Sequence, residues 1–209
     1  MKGGETAPTF RFVRSCFSPL DADLLQRLED QFGHAVVEAY AMTEVAHQVC
    51  SNPADKAKRR VGSVGLHTGV EVKIFKEDSS EEVERGGLGE VCIQGGNVMD
   101  GYLESQEANG KGFINATSER WFCTGDQGKL DGEGYLTLTG RLKELINKGG
   151  EKTGPVELDN VVNQHEGVVE AVAFAMPDEM YGEEIGLAVV LKEVKRWRRE
   201  CLRSGLVSE

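Results

Sequence analysis

Residues 10–44 read FRFVRSCFSPLDADLLQRLEDQFGHAVVEAYAMTE, and this stretch decides the fold class. Phe10 to Ser15 has the length and composition of a short strand. Ser18-Pro19-Leu20-Asp21 then offers an N-cap hydroxyl, a proline at the first helical position and an acid in the first turn. Leu24, Leu25, Leu28 and Phe32 recur at helical spacing until Gly33 closes the segment, and Val36 to Met42 is the next strand. Strand, helix and strand form a β-α-β unit, the building block of a parallel sheet with helices packed on it. Ligands of such sheets settle beyond the carboxyl ends of the strands, which directs attention to the residues just after Met42.

Working outward, residues 53–65 mix Pro, Lys, Arg and Gly and read as a linker or surface loop. Val70 to Phe75 alternates at period two, Leu88 to Ile93 follows a glycine pair, and Tyr135 to Thr139 alternates after the Asp131-Gly-Glu-Gly134 turn. These predict a small antiparallel sheet or barrel. After Gly154, the spacing of Val156, Leu158, Val161, Val162 and His165 predicts an amphipathic helix, while Val168 to Met176 and Ile185 to Leu191 predict strands. The expected class is therefore α/β plus α+β. The expected parts are 1–66, the end of an α/β region; 67–139, a β-barrel-like subdomain; 140–193, a partial α+β module; and 194–209, a basic tail.

Composition limits the function. The chain carries a formal net charge of -11 over 209 residues, which argues against a nucleic-acid partner, because a phosphate backbone demands a basic surface. Its 26 glycines imply many tight turns. Cys16, Cys50, Cys92, Cys123 and Cys201 stand singly, with no C-x-x-C pair, a pattern suited to a reducing compartment. His34, His47, His67 and His165 form no H-E-x-x-H-like group, which argues against a structural metal site. No apolar run is long enough for a membrane span and the N-terminus lacks the layout of a secretory signal, so an intracellular location, cytoplasmic or peroxisomal, is expected. There is no G-x-x-x-x-G-K-[ST] loop and no G-x-G-x-x-G fingerprint, so any nucleotide must be held by other means.

Three clusters stand in a fixed order: Glu38-Ala-Tyr-Ala-Met-Thr-Glu44 after a strand, Trp121-Phe-Cys-Thr-Gly-Asp126 before a hairpin, and Gly140-Arg141 opening a basic, glycine-centred stretch. Singly, each has a bland reading: Thr-Gly-Asp is common turn chemistry and Thr43-Glu44 is an ordinary helix start. Together they resemble the adenylate-forming superfamily of acyl-CoA synthetases, luciferases and peptide-synthetase adenylation domains. The resemblance runs from about Phe10 to Glu193. Ser15-Cys-Phe-Ser-Pro19 is similar to the family's adenine-side turn, Gly86 to Ile93 to the strand leading into its barrel, and Val98-Met-Asp-Gly-Tyr102 to another recurrent segment. Glu38 to Gln48 looks most like the branch that includes oxalate CoA ligase and lies near the 4-coumarate CoA ligases.

The resemblance implies a partial acyl-CoA synthetase fold and an AMP-forming acid–thiol ligase. Such enzymes join a carboxylate and ATP into an acyl adenylate with loss of pyrophosphate, then exchange AMP for the CoA thiol. By resemblance, Phe17 and Tyr40 lie on the adenine side, Thr43 bonds the α-phosphate and Glu44 holds Mg2+, a hard cation suited to oxygen ligands. Asp126 accepts both ribose hydroxyls, and Arg141 reaches the ribose or phosphate. Lys143 matches a hinge, Gly150 a glycine lining the thiol tunnel, and Lys152 a phosphate contact. His47 faces the acyl pocket, where an imidazole favours a short polar diacid. Each also has a structural alternative: a packed or solvated imidazole at His47, an ordinary solvated loop at Lys143 and Lys152.

Departures from the family pattern bear on what the chain does. Ala41 stands where most relatives have Gly. The Ser/Thr/Gly-rich phosphate loop with its lysine, and the late Pro-Lys-Thr-x-x-Gly-Lys lysine, are absent from these 209 residues. Glu193 to Glu209 has no family character and shows no peroxisomal Ser-Lys-Leu ending. Two function classes follow: part of a CoA ligase acting on oxalate or another small acid, with ATP and CoA as co-substrates, or a non-catalytic homologue that binds nucleotide or a partner. Losing one preorganised charge contact costs about 10²- to 10³-fold in rate, so the chain alone should show only background ATP–pyrophosphate exchange with oxalate and other acids. Exchange above background that Glu44→Ala abolishes would overturn this expectation.

Overall fold

The computed structural model describes residues 10–16, 20, 22–116 and 118–192, which form parts of two compact units, Met1–Leu145 and Ile146–Glu209. In the first unit, β1 (Phe12–Ser15), α1 (Ala22–Phe32) and β2 (Ala35–Tyr40) form the expected β-α-β unit, with β1 parallel to β2 from Phe12 opposite Ala35 to Ser15 opposite Glu38. Gly33, at φ 66°, ends the helix and donates its amide to the Glu29 carbonyl at 2.8 Å. β3 (Cys50–Ser51) and β4 (Leu66–His67) extend the same sheet antiparallel. β2 is buried along almost its whole length, as a central strand covered on both faces must be.

The second sheet of this unit is antiparallel: β5 (Glu71–Phe75), β6 (Gly89–Gln94), β7 (Phe113–Ala116), β8 (Glu119–Leu130) and β9 (Leu136–Arg141), ordered β5-β6-β8-β7 with β9 on β8. A short helix, α2 (Gln106–Gly112), precedes β7. Alternation puts Val72, Ile74, Val91, Ile93 and Phe122 into one core with Tyr40 of the first sheet and with Val45 and Val49 of the connection after it. The other face carries a smaller cluster of Phe75, Cys92, Ala116 and Trp121, in which the Phe75 and Trp121 rings meet edge to face at 5.7 Å.

The division expected at 66/67, drawn within one domain, falls inside β4, and one core spans it; the described residues up to Leu145 belong to one compact unit. The boundary expected at 140 lies within β9, whose ladder to β8 continues to Arg141 opposite Asp126; the second unit begins at Ile146. Residues 53–65 are a surface loop but not a free linker. The Asn52 side chain accepts the Arg60 amide at 3.1 Å and donates to the Arg60 carbonyl at 3.2 Å, and the Tyr135 hydroxyl donates to the Lys58 carbonyl at 2.5 Å. The Arg60 guanidinium lies 4.2 Å from the Tyr135 ring centre and pairs with Asp131.

In the second unit, β10 (Ile146–Lys148), β11 (Glu151–Thr153), β12 (Val168–Asp178) and β13 (Gly182–Leu191) form an antiparallel sheet ordered β11-β10-β13-β12. α3 (Pro155–Asn163), with proline in its first turn, packs on β12. Asp159 and Asn163 accept the amides of Ala173 and Ala171 at 2.5 and 2.8 Å. The tail 194–209 lies outside the described residues.

Gly65 joins the two sheets of the first unit: its carbonyl accepts the Leu136 amide at 2.9 Å, and a Cβ there would sit 2.1 Å from the Ser51–Asn52 backbone. Its φ is also 90°, whereas Gly62, at φ 79°, has open space around an added Cβ. Gly62→Ala should therefore cost only the left-handed strain, roughly 1–2 kcal/mol. Gly65→Ala should cost clearly more in urea unfolding, because backbone must also move.

Candidate active site

The carboxyl end of β2 leads into a tight loop. Thr43–Val45 is a single 3-10 turn, after which Ala46 (φ 49°) and His47 (φ 61°) are both left-handed. Neither is glycine, so each costs roughly 1–3 kcal/mol and must be held from outside. The holder is the segment before α2. The Asn97 amide donates to the Val45 and Gln48 carbonyls at 3.0 and 3.2 Å, and the Met99 amide to the Glu44 carbonyl at 2.8 Å. The Tyr102 hydroxyl donates to the Glu44 carboxylate at 3.0 Å. On the other side, Arg14 of β1 donates to the His47 carbonyl at 3.2 Å and the Gln48 side chain at 2.9 Å. Thr43 and His47 are exposed and Glu44 is half-buried, leaving hydroxyl, imidazole and carboxylate together at the end of the parallel pair.

Asp126 comes to the same strand end from β8. Only 5% of it is exposed, and one carboxylate oxygen accepts the Tyr40 hydroxyl while the other lies 3.2 Å from the Arg141 Nε. Gly125, at φ 73°, bends β8 beside it, and the Gly125 amide is held by Glu90 at 3.0 Å. The Thr124 hydroxyl accepts the Asp126 amide at 3.1 Å and donates to the Val91 carbonyl at 2.8 Å. Burial raises the Asp126 pKa, against the lowering effects of the Tyr40 hydrogen bond and the Arg141 charge. Burial and the Asp126 charge push the Tyr40 phenol well above its ordinary value. Burial and the Glu44 carboxylate raise that of Tyr102.

Several expected residues thus gather at one strand end: Tyr40, Thr43, Glu44 and His47 from one connection, Asp126 and Arg141 from the opposing ladder. Tyr40, expected on the adenine side, is 8% exposed as a residue and packs in the core, and its hydroxyl is engaged with Asp126. Phe17 lies outside the described residues. Lys143 is exposed in the 3-10 turn Leu142–Glu144 at the end of the first unit. Gly150 and Lys152 belong to the second unit. There Gly149 (φ 61°) and Gly150 (φ 98°) make the β10–β11 turn, which already requires glycine, and Lys152 is exposed on β11. Lys148 is paired with Glu184 at 2.8 Å and lies 5.6 Å from the Tyr181 ring centre. Sequence reasoning missed Asn97, Tyr102, Thr124 and Glu90 as supports. Two lie in or beside Val98–Tyr102, whose recurrence was the available signal. A groove of about 740 Å3, lined in part by His67, Met99 and Arg120, includes none of Tyr40, Thr43, Glu44 or Asp126.

The family described as AMP-binding enzyme matches residues 2–103. Oxalate–CoA ligase of Saccharomyces cerevisiae is 47% identical over 195 residues, 93% of this chain and 35% of its own length. Oxalate–CoA ligase of Arabidopsis thaliana is 49% identical over 89% of this chain and 35% of its own. The ATP-bound crystal structure of MatB from Rhodopseudomonas palustris superposes with a TM-score of 0.81 at 33% identity, covering 90% of this chain and 37% of that one. These matches define the class as the adenylate-forming proteins. The chain belongs to their acyl-CoA synthetase family, and it spans about a third of the length of those relatives. Among the described residues, no helix is long and apolar enough to cross a membrane.

A carboxyl with a raised folded pKa binds its proton more tightly folded than unfolded. Its stabilising share is present below the ordinary aspartate pKa of ~3.9 and is lost as pH rises through the folded value. Asp126→Asn should therefore flatten the fall in stability over that window, measured by urea unfolding against pH. Tyr40→Phe should cost about 1–3 kcal/mol and raise the Asp126 pKa further, read by carbon NMR of the carboxyl. An unchanged or lowered Asp126 pKa would overturn the assigned pairing.

Proposed function

We propose that this chain is the nucleotide-handling part of an AMP-forming carboxylic acid–CoA ligase acting on a small polar acid, oxalate foremost. The observation that carries the reading is the buried Asp126 carboxylate fixed between the Tyr40 hydroxyl and the Arg141 guanidinium at the end of the β-α-β unit. A desolvated acceptor with a set orientation suits the paired hydroxyls of a ribose, since the alternative to bonding them is an exposed cost. In the first half-reaction, the acid's carboxylate oxygen attacks the α-phosphorus of ATP and pyrophosphate leaves. In the second, the CoA sulfur displaces AMP and the thiol proton is released.

Within that reaction Thr43 would donate to the α-phosphate, and its place after β2 is where parallel sheets receive ligands. Glu44, steadied by Tyr102, and the adjacent Thr43 hydroxyl are hard oxygen donors that fit Mg2+, which commonly takes one or two carboxylates and substrate phosphates. Bound there, Mg2+ would neutralise charge on the phosphates. Arg141 would add a cation near the ribose or phosphate, Lys143 would mark the hinge, and Gly150 and Lys152 would serve the CoA and phosphate side. His47, presented by a left-handed backbone held in place by Asn97 and Arg14, would meet the acid. Oxalate rests on the names of the relatives at 47% and 49% identity. A sulfoacetate–CoA ligase of Cupriavidus necator at 37% identity is likewise named for a small, charged acid.

The test compares AMP with 2′,3′-dideoxy-AMP by calorimetry on the purified chain. AMP should bind more tightly by roughly tenfold or more, and Asp126→Asn should erase the difference while leaving dideoxy-AMP binding unchanged. Equal binding of both nucleotides by the unaltered chain would overturn the ribose assignment.

A further inference from the structure

Cys92 and Cys123 lie 31 positions apart, yet the β6–β8 register sets them directly opposite one another, with their sulfurs 3.4 Å apart. Glu90 precedes Cys92 by two residues on β6, so strand alternation turns it to the same face. One ligand atom from each of Glu90, Cys92 and Cys123 lies within 4.8 Å of the other two. This face is the one with the Trp121 and Phe75 cluster, opposite the large core that Tyr40 joins.

We propose that Glu90, Cys92 and Cys123 form a binding site for a thiophilic divalent cation of the zinc class. The donor set matches the chemistry, two sulfurs and a carboxylate with a fourth position for water, which a tetrahedral cation accepts readily. The spacing matches too. Two sulfurs each ~2.3 Å from a tetrahedral cation stand roughly 3.8 Å apart, so the pair must open by only about 0.4 Å. The surroundings are acidic: Glu77, Asp78 and Asp126 all bear on Glu90, where a cation would relieve their mutual repulsion. Cys92 is fully buried, while Cys123 and Glu90 are half-buried, so a cation would enter from their side. The sequence argued against a structural metal site because its cysteines are scattered and its histidines unclustered; this set uses no histidine, and its two cysteines meet only through the β6–β8 register.

Binding is an exchange of thiol protons for the cation: two S–H bonds break, two metal–sulfur bonds form, and two protons go to solvent. Glu90 keeps one oxygen on the Gly125 amide and offers the other to the cation. The proposal does not depend on the ligase reading.

The test titrates the purified 209-residue chain, under reducing conditions, with cadmium chloride and then zinc chloride. Cadmium should raise an ultraviolet thiolate charge-transfer band that saturates at about one equivalent with release of about two protons, and zinc should displace it. Cys123→Ser and Cys92→Ser should each abolish the band. Glu90→Gln should keep the band and weaken affinity by roughly tenfold or more. A Cys16→Ser/Cys201→Ser chain should bind as the unaltered one does. Far-UV circular dichroism checks folding, and should Cys92→Ser unfold, the half-buried Cys123→Ser decides. A band that survives Cys123→Ser, or no uptake under reducing conditions with only a Cys92–Cys123 disulfide on oxidation, would overturn the proposal.

Discussion

A carboxylate withdrawn from water has to be paired, and in this protein that requirement falls on Asp126. Its two oxygens are divided between the hydroxyl of Tyr40, 86 positions earlier in the chain, and the guanidinium of Arg141 on the adjacent strand. The first contact joins the end of the parallel β1–β2 pair to the long strand β8 of the antiparallel sheet. The second is half solvated, since the Arg141 side chain is 60% exposed, so it steers Asp126 more than it stabilises the fold. The buried bond is therefore the stronger constraint, and the strand ends that meet there are the ones whose loops carry Thr43, Glu44 and His47.

That geometry explains why the early part of the chain was readable and β8 was not. Leu24 to Phe32 follows its helical period and Val36 to Tyr40 reads as a short, continuously buried strand, because each packs against its sequence neighbours. Trp121-Phe-Cys-Thr-Gly-Asp-Gln-Gly128 contains two glycines and reads locally as a turn. It forms part of a twelve-residue strand because partners on both sides, β6 and β9, complete its ladder. The local signal was not empty, since Gly125 does take the positive φ that Thr-Gly-Asp suggests, as a bend within the strand. The sequence left residues 53–65 open between a linker and a surface loop for a similar reason: the anchors that make it a loop, Asn52, Asp131 and Tyr135, come from elsewhere in the sequence.

The site residues divide along the same line. Thr43, Glu44, Asp126 and Arg141 were legible because their types and order form a pattern. Asn97 and Tyr102 were not, since a side-chain amide or phenol that props up another segment has no spacing of its own. Nor could sequence foresee that Tyr40 would be buried, because Val45, Val49 and Phe122 meet it only in the packed core. The basic stretch around Gly149 and Gly150 is partly consumed by structure as well. Lys148 is paired with Glu184, and the glycines are needed for the hairpin itself.

Strand β8 then presents different chemistry on its two faces. Phe122 points into the large core on the side where Asp126 meets Tyr40, while Trp121 and Cys123 belong to the opposite cluster. Between them stands Gly125, whose amide is fixed by Glu90, a residue placed beside the two thiols. The turn that orients Asp126 thus leans on a carboxylate with a second possible occupation. A change in what Glu90 binds would reach Asp126 through one hydrogen bond and one residue of backbone. Because period-two alternation keeps the two faces apart, the fold can support the buried Asp126 on one and a thiol pair on the other without either displacing the other from its strand.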